Sequence, residues 1–158
     1  MRRVVIGVSN TFRGDDGVGL AVVDALRGRV PTGVEVVPCE LEPSRLIEAW
    51  SGATTAVVVD AVASGAEPGT LTRFDASEVA VPARAFRSST HAFGIGEAIE
   101  LARALGRLPQ RIVVYGVEGA VFDAGEGLTP RVEAAIEPAA LGVLDDLEKE
   151  MEPCTSES

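Results

Sequence analysis

The chain has 158 residues and a mass of 16.4 kDa, the size of one domain around one hydrophobic core. Apolar residues make up 46% with few aromatics, enough to build that core and too many for a chain disordered over most of its length. A formal net charge of −10 repels phosphate backbones, and no Lys/Arg cluster with interleaved aromatics offsets it, so no nucleic acid is expected as a partner.

Val4-Val5-Ile6-Gly7-Val8, rich in β-branched residues and ended by Ser9-Asn10, predicts a buried first strand. Val18, Val22, Ala25 and Leu26 then recur at helical spacing and predict a helix to about Gly28. Asp15 and Asp16 stand at its start, where carboxylates suit the positive end of the helix dipole. Val34 to Val37 predicts a second strand and Pro43 to Trp50 a short helix. Thr55 to Asp60 predicts a third strand whose unbroken apolar run suits burial on both faces. Between Ala61 and Thr90 the pattern is irregular, with a turn at Pro68-Gly69 and an edge strand over Leu71 to Phe74, and this stretch is expected to wall one side of a crevice. Ile95, Ile99, Ala102 and Leu105 form a helical stripe, and Ile112 to Val117 predicts another buried strand. Thr129 as N-cap and Pro130 at the first helical position open a last helix carrying Val132, Ile136, Leu141 and Leu144. That helix is expected to bend near Pro138, which lacks an N–H.

This succession of βαβ units predicts a single α/β domain, a three-layer α/β/α arrangement with a twisted, mostly parallel sheet. The domain is expected to cover residues 1–150, with 151–158 a polar, disordered tail too poor in apolar residues to order itself. No stretch approaches the ~18–20 apolar residues that cross a bilayer, and Met1-Arg2-Arg3-Val4 runs directly into the first strand without the layout of a signal peptide. A cytoplasmic protein with no membrane partner is the default expectation. A monomer is compatible with the sequence, which fixes no oligomeric state.

Three residues carry the chemistry. Asp16 follows the first strand and its glycine-bearing loop, Asp60 closes the run Ala56-Val57-Val58-Val59, and His91, the single histidine, precedes the third helical pattern. An open parallel sheet presents the carboxyl ends of its strands to one crevice, so residues far apart in sequence converge there. Each also has a plainer reading. A lone histidine is most often a surface group, and Asp16 suits a helix terminus, although Asp15 fits the capping role better. Asp60 at the end of a buried strand must be paired, metal-bound or exposed in a crevice, because an isolated buried carboxylate costs several kcal/mol.

Two carboxylates and an imidazole form an N/O ligand set for borderline divalent metals such as Ni²⁺ or Zn²⁺, with coordination positions open to water or substrate. A metal so held polarises a carbonyl and lowers the pKa of bound water, so hydrolysis needs no serine or cysteine nucleophile. Neither has a suitable motif: Gly-x-Ser-x-Gly is absent and no second histidine can act as base. Cys39 and Cys154 form no CxxC pair, cannot close a structural zinc site with one histidine, and are expected as free thiols. Gly7-Val8-Ser9-Asn10-Thr11-Phe12-Arg13-Gly14 gives no G-x-G-x-x-G, no G-K-[ST] occurs, and two carboxylates at the loop's end oppose a pyrophosphate, so no nucleotide cofactor is expected.

Gly7-Val8-Ser9-Asn10 followed by Gly14-Asp15-Asp16-Gly17-Val18-Gly19 resembles the N-terminal signature of the NiFe-hydrogenase maturation endopeptidases. Val59-Asp60-Ala61, Pro68-Gly69-Thr70, Ser89-Thr90-His91, Val114-Tyr115-Gly116-Val117-Glu118 and Gly127-Leu128-Thr129-Pro130 resemble that family's later blocks in order, over nearly the whole chain. The resemblance implies a cytoplasmic, nickel-dependent endopeptidase of aspartic or metallo type that removes a C-terminal extension from the hydrogenase large-subunit precursor after nickel insertion. It places the family's nickel-engaging, catalytic positions on Asp16, Asp60 and His91. The nickel then belongs to the precursor, and another divalent metal can occupy the site in vitro. Two positions depart from the family pattern: Ser9 stands where glycine is usual, and Cys39-Glu40-Leu41-Glu42-Pro43 lacks a glycine-threonine element, with Glu40 read as a solvated loop carboxylate. The alternatives are a noncatalytic nickel-sensing chaperone docking on the same precursor and a metal-dependent hydrolase of small molecules.

Overall fold

The computed structural model describes residues 2–8, 14–40, 42–77, 95–120 and 127–151, apart from the side chains of Asp16, Glu150 and Met151. The described elements run β1 (Arg3–Val8), a 3₁₀ turn (Gly14–Gly17), α1 (Val18–Leu26), β2 (Val34–Cys39), α2 (Pro43–Trp50), β3 (Thr55–Val62), β4 (Leu71–Asp75), α3 (Ile95–Leu105), β5 (Arg111–Glu118), α4 (Pro130–Ala134) and α5 (Ile136–Met151).

Five strands form one sheet in the order β2-β1-β3-β5-β4. The first four are parallel, and β4 adds an antiparallel edge against β5, with Arg73 opposite Tyr115. The three inner strands are buried on both faces, as their continuous valine-rich runs require. Alternation of side chains divides the core in two. Val4, Ile6, Val58 and Val114 pack with Leu46, Trp50, Ile95 and Ile99 under α2 and α3. Val5, Val57, Val59 and Tyr115 pack on the other face with Val22, Leu26, Ala139 and Val143 from α1 and α5. The expected three-layer α/β/α domain is therefore what the chain forms, a mostly parallel sheet between two helical layers.

The differences from the sequence reading lie at element ends. β2, β3 and β5 run on to Cys39, Val62 and Glu118, because backbone pairing carries each strand past its apolar run: Val62 still pairs with Glu118 and Val8 with Cys39. Pro38 is tolerated in β2 because β2 is an edge strand. The first helix begins at Val18 after a 3₁₀ turn and ends at Leu26. The last helix breaks at Ala135. Pro138 cannot donate to the carbonyl four residues earlier and crowds it, so the helix restarts with the proline in its first turn. Of the disordered tail expected over 151–158, Met151 instead ends α5, and residues 152–158 lie outside the described residues.

Candidate active site

The chain leaves β1 through α1 toward β2 on one side, and leaves β3 toward β5 on the other. β1 and β3 are neighbours whose connections diverge, and such a switch point opens a crevice beyond the carboxyl ends of the strands. α1 approaches this crevice closely. A Cβ on Gly19 would collide with Val8 O, and would stand 2.7 Å from Val59 O and 2.9 Å from Val8 N. A Cβ on Gly7 would collide with Gly19 O and Val23 Cγ2. Two glycines facing each other thus let the first turn of α1 rest on the ends of β1 and β3, and the 3₁₀ turn that precedes it sits against β3.

Asp60 is fully buried, two residues before the end of β3, and its Oδ1 accepts from Ala61 N at 2.8 Å. Its register position lies on the sheet face covered by α2 and α3, the same face as Val58 and Val62. The backbone of Asp16 lies in the Gly14–Gly17 turn, which packs against β3, while its side chain is outside the described residues. His91 also lies outside them, four residues before the first residue of α3. Among the described residues no three His, Cys, Asp or Glu side chains are grouped to hold a metal ion.

Asp15 does not cap α1. Gly17 occupies that position with no side-chain bond. The buried Asp15 carboxylate reaches across the molecule instead: Oδ2 accepts from Ala120 N at 2.7 Å and from the Thr129 hydroxyl at 2.9 Å, and Oδ1 accepts from Thr129 N at 2.7 Å. Thr129 stands at the N-cap position of α4, as expected, but its hydroxyl makes no capping bond and serves Asp15. Sequence reasoning also passed over Glu118, buried at the end of β5. Its carboxylate accepts from the Ser64 hydroxyl at 2.6 Å, from Ser64 N at 2.9 Å and from Gly65 N at 3.2 Å, tying down the loop after β3. The available signal was the one used for Asp60, a carboxylate closing an apolar strand run.

A family model of hydrogenase maturation proteases matches residues 20–146. The Hydrogenase 2 maturation protease of Escherichia coli is 32% identical over 148 residues, covering 91% of this chain and 89% of the relative. The chain belongs to the hydrogenase maturation protease family. The structure of the hydrogenase maturating endopeptidase HybD from E. coli superposes with a TM-score of 0.82 at 29% identity, covering 96% of this chain and 94% of that one. The maturation protease HycI from Thermococcus kodakarensis shares the fold, with a TM-score of 0.72 at 23% identity over 93% of this chain and 92% of that one.

This maturation protease is thus a hydrolase of peptide bonds, and its remaining polar groups are mostly structural. On the α5 face, Asp146 accepts from Arg73 Nε at 2.9 Å and Nη2 at 2.7 Å, from Arg111 Nη2 at 3.3 Å, and from the Tyr115 hydroxyl. This cluster ties the edge strand β4 to α5, away from the face of Asp60. Cys39 is free and donates weakly to Glu40 O, and burial pushes its thiol up, which disfavours the reactive thiolate. Glu40 is solvated as expected, with its side chain 76% exposed beside Arg45. Among the described residues no helix is long and apolar enough to cross a membrane. A shallow cleft of about 190 Å³ opens beside the Gly14–Gly17 turn, lined by Leu20, Ala21 and Leu128.

Proposed function

We propose that this protease removes the C-terminal extension of a NiFe-hydrogenase large-subunit precursor after nickel insertion, and that it acts in the cytoplasm. The observation that carries the reading is the switch point between β1 and β3, flanked by the turn bearing Asp16 and the strand end bearing Asp60, in a chain of this family. Asp16, Asp60 and His91 are the residues we assign to the precursor's nickel. The bond from Ala61 N fixes one oxygen of Asp60 in advance, so little side-chain freedom is lost on engagement. Two carboxylates and an imidazole leave positions on such a metal open, and the nickel either polarises the scissile carbonyl or activates the water that adds to it. Water then supplies hydroxyl to the acyl carbon and a proton to the departing amine.

Intact-mass analysis of the cognate precursor, nickel-loaded and nickel-free, tests this with the unmodified chain and with Asp16→Asn, Asp60→Asn and His91→Ala. The expected result is loss of one C-terminal peptide from the loaded precursor only, and only with the unmodified chain. Undiminished cleavage by His91→Ala refutes the assignment. A stable complex with no change of mass replaces the protease reading with that of a nickel-sensing chaperone.

A further inference from the structure

Three consecutive residues, Glu118 at the end of β5 and Gly119 and Ala120 just beyond it, link the end of β3 to the Gly14–Gly17 turn. Glu118 holds Ser64 and Gly65 through its carboxylate, Gly119 N donates to Val62 O at 3.0 Å, and Ala120 N donates to Asp15 Oδ2 at 2.7 Å. Val62 is two residues beyond Asp60, and Asp15 is the residue before Asp16. An unbroken path of backbone and hydrogen bonds therefore joins the strand that carries one proposed nickel-engaging carboxylate to the turn that carries the other. Thr129 closes it from the far side with two donors to Asp15. The turn needs such an anchor, because it is only four residues long and α1 gives it no side-chain cap.

We propose that Asp15 is a positioning residue that sets the placement of Asp16 relative to Asp60, with Thr129 and Ala120 as the donors that hold it. The inference rests on the functional reading above. It gives Asp15 no contact with substrate. Among the described residues three donors are aimed at its buried carboxylate, an arrangement that fixes position because each charge-assisted bond is short and directional. An amide in its place turns one acceptor into a donor that faces an N–H or O–H already pointing inward, so at least one of the three bonds is lost. The turn then shifts, and displacements of about 1 Å at a reacting centre cost on the order of 100-fold in rate.

The test compares the unmodified chain with Asp15→Asn, Thr129→Val and Thr129→Ser. Four quantities are read: thermal midpoint, single-turnover cleavage of saturating nickel-loaded precursor, precursor affinity, and calorimetric binding of Ni²⁺ alone. Positioning predicts that Asp15→Asn and Thr129→Val lose roughly 10–100-fold in cleavage rate or Ni²⁺ affinity, the usual cost of removing a supporting hydrogen bond behind a ligand. Precursor affinity and folded fraction at the assay temperature stay unchanged, and Thr129→Ser, which keeps the hydroxyl, recovers the rate. If Asp15→Asn fails to fold, Thr129→Val carries the comparison, since it deletes one hydroxyl and keeps the shape. Variants that only melt earlier, or lose only precursor affinity, overturn the inference while the functional reading stands. An unmodified chain that neither cleaves the precursor nor binds Ni²⁺ overturns the functional reading and the inference together. If it binds Ni²⁺ without cleaving, the Ni²⁺ titrations of the variants decide.

Discussion

Gly19→Ala offers a sharp test of how α1 is seated. The new Cβ would press on Val8 O, Val59 O and Val8 N, and all three are backbone atoms of central strands. No flexible side chain can yield, so α1 must lift from β1 and β3. In an exposed helix the same change gains about 1 kcal/mol. Overpacking against a rigid core costs roughly 1–3 kcal/mol and here falls at or above the upper end, leaving a net loss of about 2 kcal/mol. For a chain of this length that lowers the thermal midpoint by roughly 4–8 °C. Gly142→Ala in α5 is the matched control, because its Cβ meets only the Tyr115 side chain, at 3.1 Å from Cε1 and 3.3 Å from the hydroxyl oxygen. There the helical gain and a modest adjustment of the ring offset each other to within about 1 kcal/mol. Urea unfolding followed by the fluorescence of Trp50, the sole tryptophan and fully buried at the end of α2, measures both. Equal midpoints for the two variants, or a Gly19→Ala chain as stable as the unmodified one, would refute the account of the glycine contact.

The Asp146 cluster contributes at both ends of the pH–stability curve. Burial pushes the Asp146 carboxyl up, but hydrogen bonds from Arg73 and Tyr115 and the charges of Arg73 and Arg111 outweigh it and hold it below the usual range. A lowered pKa contributes stability above the unfolded value near 4 that is lost as pH falls through the folded value, so Asp146→Asn flattens the acid limb of a urea-midpoint series. Burial, then the bond to Asp146, pushes the Tyr115 phenol up, which gives stability that is complete below the unfolded value near 10 and fades above it. Tyr115→Phe abolishes that alkaline fade and costs about 1.5–3 kcal/mol at neutral pH for a bond to a charged acceptor; an unchanged alkaline limb contradicts it. Glu118→Gln replaces an acceptor facing Ser64 and Gly65 with a donor, so the amides of Ser64 and Gly65 exchange with solvent faster while those of central β1 do not. Uniform acceleration across the sheet would mean that Glu118 supports the whole fold and not this loop.

The fold was legible wherever hydropathy decides local structure. Pro43 and Trp50 bound α2 as read, because proline suits the first turn and the apolar positions after it fall on one buried stripe. Strand ends were less legible: Val62, Cys39 and Glu118 belong to strands through pairing with residues far along the chain, which side-chain character does not reveal. The antiparallel placement of β4 beside β5 is likewise a choice of partner and leaves no local signal. The position of Asp60 at a buried strand end was readable because apolar residues precede it without interruption. The role of Asp15 was not, since an aspartate before a helix looks the same whether it caps that helix or accepts from Ala120, 105 residues away.

Gly14-Asp15-Asp16-Gly17 and Gly127-Leu128-Thr129-Pro130 look like independent signatures in the sequence, yet in the structure they are two halves of one joint. Thr129 gives both its N–H and its hydroxyl to Asp15, and Pro130, with no N–H of its own to satisfy, starts α4 immediately behind it. A helix start that keeps its cap hydroxyl for a distant carboxylate gives up about 1 kcal/mol of local stability. That sacrifice is intelligible if the turn carrying Asp16 has to be held in place, and the fold supplies the reason. At a switch point the two walls of the crevice come from connections that run apart, so no single helix or strand spans them. Side chains must do it, and among the described residues Asp15 and Glu118 do so, joined through the backbone from Glu118 to Ala120.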